Sequence, residues 1–344
     1  MKVSYIALEP ERYPRVRKLA YTLGKYTNAD FCIMIPKFRV EIGKNRVARL
    51  FSAMINYMLI SLQIFFVKAD IFWVANCPDI LALPPVLRKR KYILDYRSPW
   101  PFEVKREFGM GPWNLLSAMI ESVALIHAEV ITLTTSKLLI RVERFKKPVY
   151  VIPNYPTKHF RHTISREDFR RLHKIESDTK IVLFVGKLSY VEGADLMPDI
   201  ISAVIKNAEM KVVFWIIGDG PFRALMDRVE RKNPNAVKLF GWQPHDQIPN
   251  FINASDVCIV PRHESPHSHY YNEEGLQKIS EYMLYKKPII ACGIAPSNEY
   301  LLVKKDQMVD GIIKALRGQV PLPTPRTWEE YCEGQVFEVT DLMT

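Results

Sequence analysis

Paired cysteines are missing from this chain. Its five cysteines (Cys32, Cys77, Cys258, Cys292 and Cys332) are odd in number, scattered and free of any paired spacing. That pattern excludes a disulfide framework and a cysteine-based zinc site, and it reads as a reduced, cytoplasmic protein. There is no G-x-G-x-x-G and no Walker P-loop, so nothing marks a dinucleotide oxidoreductase or a P-loop NTPase. No Asp-x-Asp pair stands ready to hold a cation against a diphosphate. His263, His267 and His269 cluster beside Glu264, but Pro261 and Pro266 make this an irregular loop, and no metal is expected there. The first apparent strand starts almost at Met1, so no signal peptide is expected.

Negative charge is scarce in the first half only. Residues 1–150 carry 24 Lys and Arg against 12 Asp and Glu, and residues 151–344 carry 24 against 25. Essentially the whole net charge of +11 therefore sits on the amino-terminal half. Such a field draws anionic lipid headgroups, phosphorylated acceptors or nucleic acid. The basic residues form no aromatic-interleaved recognition motif, so nucleic acid is not an expected partner. A solvated basic surface with no specific partner is the plain alternative. The run Leu50–Val67 is without charge and marginally long enough to span a bilayer. Asn45, Arg49, Ser52, Asn56 and Gln63 nevertheless mark one polar stripe at helical spacing. An amphipathic helix lying over a sheet is expected, with shallow membrane contact left open.

At 344 residues the chain reads as two domains. Apolar runs at Val3–Ala7, Phe31–Ile35, Ile71–Ala75, Tyr92–Leu94, Val130–Leu133 and Val149–Ile152 alternate with helical patterns. After Pro153-Asn154-Tyr155-Pro156 the alternation resumes, with strands expected at Ile181–Val185, Val212–Ile217, Val237–Phe240, Val257–Val260 and Pro288–Ala291. The fold class expected is α/β: two doubly wound Rossmann-like domains facing a cleft. The domains are placed at 1–155 and 156–320, and residues 321–344 supply a final helix near Thr327–Glu333 that returns to the first domain. Open parallel sheets bind ligands outside their strand carboxyl ends, which is where chemistry is sought.

The most informative stretch runs from Glu273 to Ala291. Glu273 and Glu281 bracket Gly275 and Lys278 as a loop passes into a helix. Glycine permits close backbone approach, and the helix's first-turn N–H groups favour an anion. Lys278 adds a full positive charge, and Glu281 follows on the same face. This suits a ligand with a diphosphate at one end and hydroxyls at the other. Gly186-Lys187 after the first strand of the second half, and Gly218-Asp219-Gly220-Pro221 after the next, offer further tight turns before helices. Taken alone, these turns are equally well explained as helix starts.

In order, the segments Leu183–Leu188, Ile216–Pro221, Val237–Trp242, Ala254–Val257 and Lys278–Pro288 resemble the retaining nucleotide-sugar glycosyltransferases of the GT-B fold, fourth family, or glycosyl transferases group 1. Val151-Ile152-Pro153-Asn154 is similar to the segment that closes the amino-terminal domain there. The resemblance implies a carboxy-terminal domain that holds a nucleoside diphosphate sugar and an amino-terminal domain that binds the acceptor. It places Lys187 and Lys278 at the diphosphate, with Glu273 facing the donor sugar and Glu281 on the ribose hydroxyls. Gly186, Glu274, Gly275, Leu276, Gly218 and Trp242 line the donor site. No cofactor is implied beyond the donor itself.

Three departures accompany the resemblance. The family commonly carries a second lysine five residues after the first basic residue, and here that position is Glu192. Gly275 falls one residue closer to Glu273 than usual, so either Glu273 or Glu274 could face the sugar. The loop Glu9–Arg17 lacks the usual glycines and carries Arg12, Arg15 and Arg17, which either hold an acceptor phosphate or form a charged helix start. Asp95 and Arg97, within Asp95–Trp100, resemble a cleft segment of some members.

The reading is a metal-independent hexosyltransferase acting on a glycan or lipid-linked, anionic acceptor. It is cytoplasmic, with the cytoplasmic membrane face as a peripheral site. A sugar-nucleotide 2-epimerase, a phosphorylase and a non-catalytic binding relative share the same architecture.

Overall fold

The computed structural model describes residues 2–7, 14–26, 30–34, 40–43, 46–109 and 111–343. The chain forms two compact units. One comprises Met1–Pro153 with Glu329–Thr344, and the other Asn154–Trp328.

The first unit is built on six parallel strands: β1 (Lys2–Ile6), β2 (Asp30–Met34), β3 (Ile71–Ala75), β4 (Tyr92–Tyr96), β5 (Val130–Leu133) and β6 (Val149–Val151). Their order is β2-β1-β3-β4-β5-β6, which puts the topological switch between β1 and β3. Every residue of β3, β4 and β5 is buried, as a parallel strand covered on both faces requires. The edge strands β2 and β6 are only partly covered. Helix Glu333–Asp341 joins this unit through helix Pro14–Tyr26, where Glu333 accepts from Lys25 Nζ at 2.9 Å and from the Tyr26 hydroxyl at 2.5 Å.

Helix Arg46–Phe65 is long and amphipathic, but Ser52 and Asn56 of its polar stripe turn to neighbouring backbone. Ser52 Oγ accepts from the N–H of Ile42 at 2.9 Å, and Asn56 bonds both the N–H and the carbonyl of Val40. Those two polar side chains satisfy an irregular backbone segment. Phe51, Met54, Met58, Leu62 and Phe65 are left exposed in their place. Among the described residues no helix is long and apolar enough to cross a membrane.

The second unit carries β7 (Lys180–Val185), β8 (Val212–Ile217), β9 (Val237–Gly241), β10 (Val257–Pro261), β11 (Ile289–Cys292) and β12 (Leu301–Leu302), in the order β12-β11-β10-β7-β8-β9. The sequence pattern missed β12, which is only two residues long. Side chains alternate between two cores, because successive residues of a strand point to opposite faces. Val182, Phe184, Phe214, Ile216 and Ile259 pack on one side. Ile181, Leu183, Trp215, Val260 and Ile289 pack on the other. Here the switch point lies between β7 and β10, so the loops after Val185 and Pro261 leave from the crevice where such sheets bind ligands.

Candidate functional site

The loops after β7 and β10 meet at an ionic cluster. Glu192, from the first loop, accepts from Lys278 Nζ at 2.5 Å and from the Arg262 guanidinium. All three side chains are largely buried. Lys278 lies over the Phe184 ring at 4.9 Å, and Arg262 over Tyr271 at 4.7 Å, so apolar faces back both cations. A Cβ at Gly186 would fall 2.6 Å from Lys278 Nζ, so this glycine admits the lysine. The next residue, Lys187, is exposed and has no ion-pair partner among the described residues.

Two cations and one carboxylate leave this cluster with one net positive charge, and Lys187 adds another. The acid at position 192 has not turned away from the site. It holds the two cations side by side, each of which would otherwise repel the other. Arg262 was not singled out from sequence, and its only signal is its position immediately after a β-strand at the switch point.

Two further glycines fit these loops together. Gly218 adopts φ +131°, and a Cβ there would sit 1.8 Å from the carbonyl oxygen of Gly186. Gly193 adopts φ +72°, and its Cβ would meet the Pro261 carbonyl at 1.5 Å. Neither position can carry a side chain without moving backbone.

The loop Asn272–Leu276 precedes helix Gln277–Leu284 and is clamped by Asn154. The Asn154 N–H donates to Glu274 O at 2.7 Å, and its side-chain amide donates to Gly275 O at 3.0 Å. Asn272 donates to the Glu274 carboxylate at 3.4 Å, and its backbone carbonyl takes the Leu276 N–H at 2.9 Å. Glu273 and Glu274 are therefore treated differently by the fold. Glu273 is buried and its Oε2 has no hydrogen-bond partner among the described residues. Desolvation raises its pKa, opposed by hydrogen bonds from its own backbone N–H and from Ser297. An unsatisfied buried carboxylate oxygen is costly unless a ligand donates to it.

One turn into the helix, Glu281 is buried, and its Oε1 accepts from Gln277 at 2.6 Å and pairs with His245 Nε2 at 2.7 Å. Its Oε2 bonds to no other described residue. The His245 ring rests against Phe160 at 4.9 Å and fixes the carboxylate from the loop after β9. His245 is a second residue that the sequence reading missed. Trp242, in the same loop, is 72% exposed.

His263 does not gather with His267 and His269. Its Nε2 lies 2.9 Å from both oxygens of Asp195, and its ring stacks on Tyr190 at 4.0 Å.

In the first unit, Arg15 and Asp95 have roles other than facing an acceptor. Arg15 donates to Asp95 through Nε at 3.0 Å and Nη2 at 2.8 Å, and to the carbonyl of Ile152 at 2.6 Å. Tyr5 and Thr132 complete the carboxylate's partners, at 3.1 and 2.9 Å. Both members of the pair are buried, so they tie helix Pro14–Tyr26 to the ends of β4 and β6. Arg97 is half-buried and donates to the carbonyl of Asn76 at 3.0 Å. Arg12 lies outside the described residues.

Residues 179–318 match the glycosyl transferases group 1 family. No curated protein matches the chain in sequence. Among solved structures, it is similar to sucrose-phosphate synthase from Thermosynechococcus elongatus, with 14% identity, a TM-score of 0.67, and 100% of this chain and 96% of that one covered. It is likewise similar to Anabaena Alr3699/HepE in complex with UDP, with 13% identity, TM-score 0.67, and 99% and 98% covered. WaaG, a glycosyltransferase involved in lipopolysaccharide biosynthesis, aligns over the whole of both chains with 12% identity and TM-score 0.68. The fold shared with these proteins is GT-B, two Rossmann-like α/β domains. Residues 179–318 thus carry the match to the glycosyl transferases group 1 model, and a domain of that kind supports a transferase.

Proposed function

We propose that the chain transfers a hexosyl unit, with retention and without a metal, from a nucleoside diphosphate sugar to a hydroxyl of an anionic or lipid-linked acceptor. The observation that carries the donor half is the Lys278–Glu192–Arg262 cluster at the switch point of the second sheet, beside exposed Lys187. Their net positive charge answers the charge that builds on a departing diphosphate, and fixed cations in a partly dry site stabilise it without reorganising. Glu273 takes a sugar hydroxyl on its unpartnered Oε2, in preference to Glu274. Glu281 takes the ribose hydroxyls on Oε2. Anabaena Alr3699/HepE, seen with UDP-glucose, supports a nucleotide-sugar donor of this kind. Retention rests on the group 1 resemblance. The lysines and the arginine supply the counter-charge that a cation would otherwise provide.

The acceptor half rests on charge. The first unit carries 24 Lys and Arg against 17 Asp and Glu, with the excess in residues 1–150, which favours an acceptor presented at an anionic, cytoplasmic membrane face. Arg97, half-buried after β4, remains a candidate contact for the acceptor.

Thermal-shift measurements against UDP, GDP, ADP and their sugars test the donor half. One family of nucleotide is expected to raise Tm, because a ligand stabilises the form it binds. If none does, and Lys278→Ala and Glu281→Ala leave cellular function intact, the transferase assignment to this site is wrong. Product analysis with the matched donor alone, and then with inorganic phosphate, separates transfer from epimerisation and phosphorolysis.

A further inference from the structure

The exposed stripe of helix Arg46–Phe65 forms one wall of a groove in the first unit. Phe51, Met54, Met58, Leu62 and Phe65 recur at helical spacing along its outer face. Met58 is 64% and Leu62 57% exposed. Helices Leu83–Leu87, Trp100–Phe108 and Pro112–His127 supply the opposite wall, with Trp100 and Trp113 in the lining. The groove encloses about 640 Å³, and among the described residues no charged side chain lines it. That volume is ample for a small-molecule site. Exposed apolar surface of this extent marks a place of interaction.

One end of the groove is cationic. Phe65 and Leu87, both in the lining, run directly into Lys68 and into Arg88-Lys89-Arg90-Lys91. Arg88 lies over the Phe65 ring at 5.7 Å and donates to the Val67 carbonyl at 2.8 Å. Arg90 donates to the Ala69 carbonyl at 2.8 Å, so the two basic segments are tied together. Lys68, Lys89 and Lys91 point their charge into solvent beside Phe66 and Leu87, which are 74% and 73% exposed. Asp70, the acid in these segments, takes the backbone N–H of Lys2 at 2.7 Å.

A hydrocarbon slot with basic segments at one end is complementary to an amphiphile with an anionic head. A second copy of this chain seated on the groove would bring like charges together and lacks that complementarity. We propose that the groove takes a hydrocarbon chain of an anionic lipid at a membrane surface, its headgroup phosphate resting on Lys68, Lys89 and Lys91. This deepens the acceptor-side reading above and rests on it for its purpose. It names the contact that brings the enzyme to a membrane-borne acceptor.

The test uses the full chain and vesicles of phosphatidylcholine, alone or mixed equally with phosphatidylglycerol, with bromine on the acyl chains. Bromine quenches a tryptophan only on contact, so chain entry is read from Trp100 and Trp113. Strong quenching by the mixed vesicles is expected, together with co-sedimentation. Trp113→Phe should remove much of the quenching, and Met58→Glu should weaken both readouts about tenfold. Lys68→Glu with Lys91→Glu should weaken both by a similar factor or more, since each lysine near an anionic surface contributes about 1 kcal/mol. These are exposed positions, and an unchanged Tm will show that the variants fold. Sedimentation without quenching would overturn the groove as a chain site and leave only surface attraction. Equal binding to neutral vesicles would overturn the headgroup assignment. Lipid-free dimers dissociated by Met58→Glu would replace the lipid with a second copy. Nucleotide thermal shifts in the same variants keep the two readings apart. In the wild-type chain, a nucleotide shift without lipid binding refutes this inference alone, and lipid binding without a nucleotide shift refutes the donor site alone.

Discussion

Lys278 and Arg262 are neighbours because both bond the one carboxylate of Glu192. Residues 187 and 278 could be read as diphosphate ligands from sequence, but an acid at 192 looked unfavourable there. In the structure it is the brace that lets two cations stand together. Glu192→Gln keeps the shape and removes one negative charge. The apo protein should lose about 1–3 kcal/mol, as a buried charged hydrogen bond is weakened. Net charge at the cluster rises by one, so a nucleoside diphosphate should bind more tightly and raise Tm further than in the wild type. Paired thermal melts with and without nucleotide check both signs.

Glu273 supplies a prediction in which stability and activity move oppositely. Desolvation lifts its pKa above the usual value of 4.5. The folded state then binds the proton more tightly than the unfolded state, so stability falls as pH rises between the unfolded and folded values. The cost is fully present above the folded pKa and absent below about 4.5. Glu273→Gln removes it, and should raise Tm at pH 7 while matching the wild type in acid. The same change would weaken the proposed charge-assisted bond to the sugar, and kcat/KM should drop about ten- to a hundredfold. Melting curves from pH 4 to 8 beside steady-state kinetics decide it. A loss of both stability and activity would mean the carboxylate is a structural group.

Much of this was legible from the chain. The strands of both sheets show as apolar runs, since buried parallel strands need apolar residues on both faces. The candidate donor residues Gly186, Lys187, Lys278 and Glu281 could be picked out because they lie in short local motifs. Arg262 and His245 were not, because each acts through a partner far away in sequence: Glu192 seventy residues back, and Glu281 thirty-six ahead. Helix Arg46–Phe65 was recognised as amphipathic, but its orientation was hidden. Periodicity shows that a helix has two faces, and only the backbone at 40–42 shows which one turns inward. Arg15 and Asp95 misled for the same reason. A charged pair in sequence carries no sign of burial.

His245 should matter more to binding than to folding. It is half-exposed and grips Glu281 from a loop, so its removal opens no core cavity. His245→Ala should leave Tm of the apo protein within about 0.5 kcal/mol of stability, as surface changes do. Nucleotide affinity should fall several-fold, because Glu281, proposed to take the ribose hydroxyls, loses its orientation. Isothermal titration with the matched nucleotide, compared with Glu281→Ala, tests this. Equal affinity in His245→Ala and wild type would show that the contact is incidental.

Asp95 gives a prediction for the first unit, independent of any ligand. Burial alone would raise its pKa, but Arg15 beside it holds the carboxyl below the usual 3.8. Its contribution to stability is present above the unfolded pKa and is lost as pH falls through the folded one. Asp95→Asn leaves the Arg15 guanidinium buried against a neutral amide. Breaking such a pair by removing one partner costs about 3–5 kcal/mol. The variant should therefore melt well below the wild type at pH 7, and the gap should narrow below pH 4, where the wild type loses the same interaction. Because β4, β6 and helix Pro14–Tyr26 all meet at this pair, hydrogen exchange should rise first in those three segments. Were Arg15 and Asp95 to be acceptor ligands instead, Asp95→Asn would alter KM for the acceptor with Tm unmoved. The buried bonds to Tyr5, Thr132 and Ile152 predict the opposite.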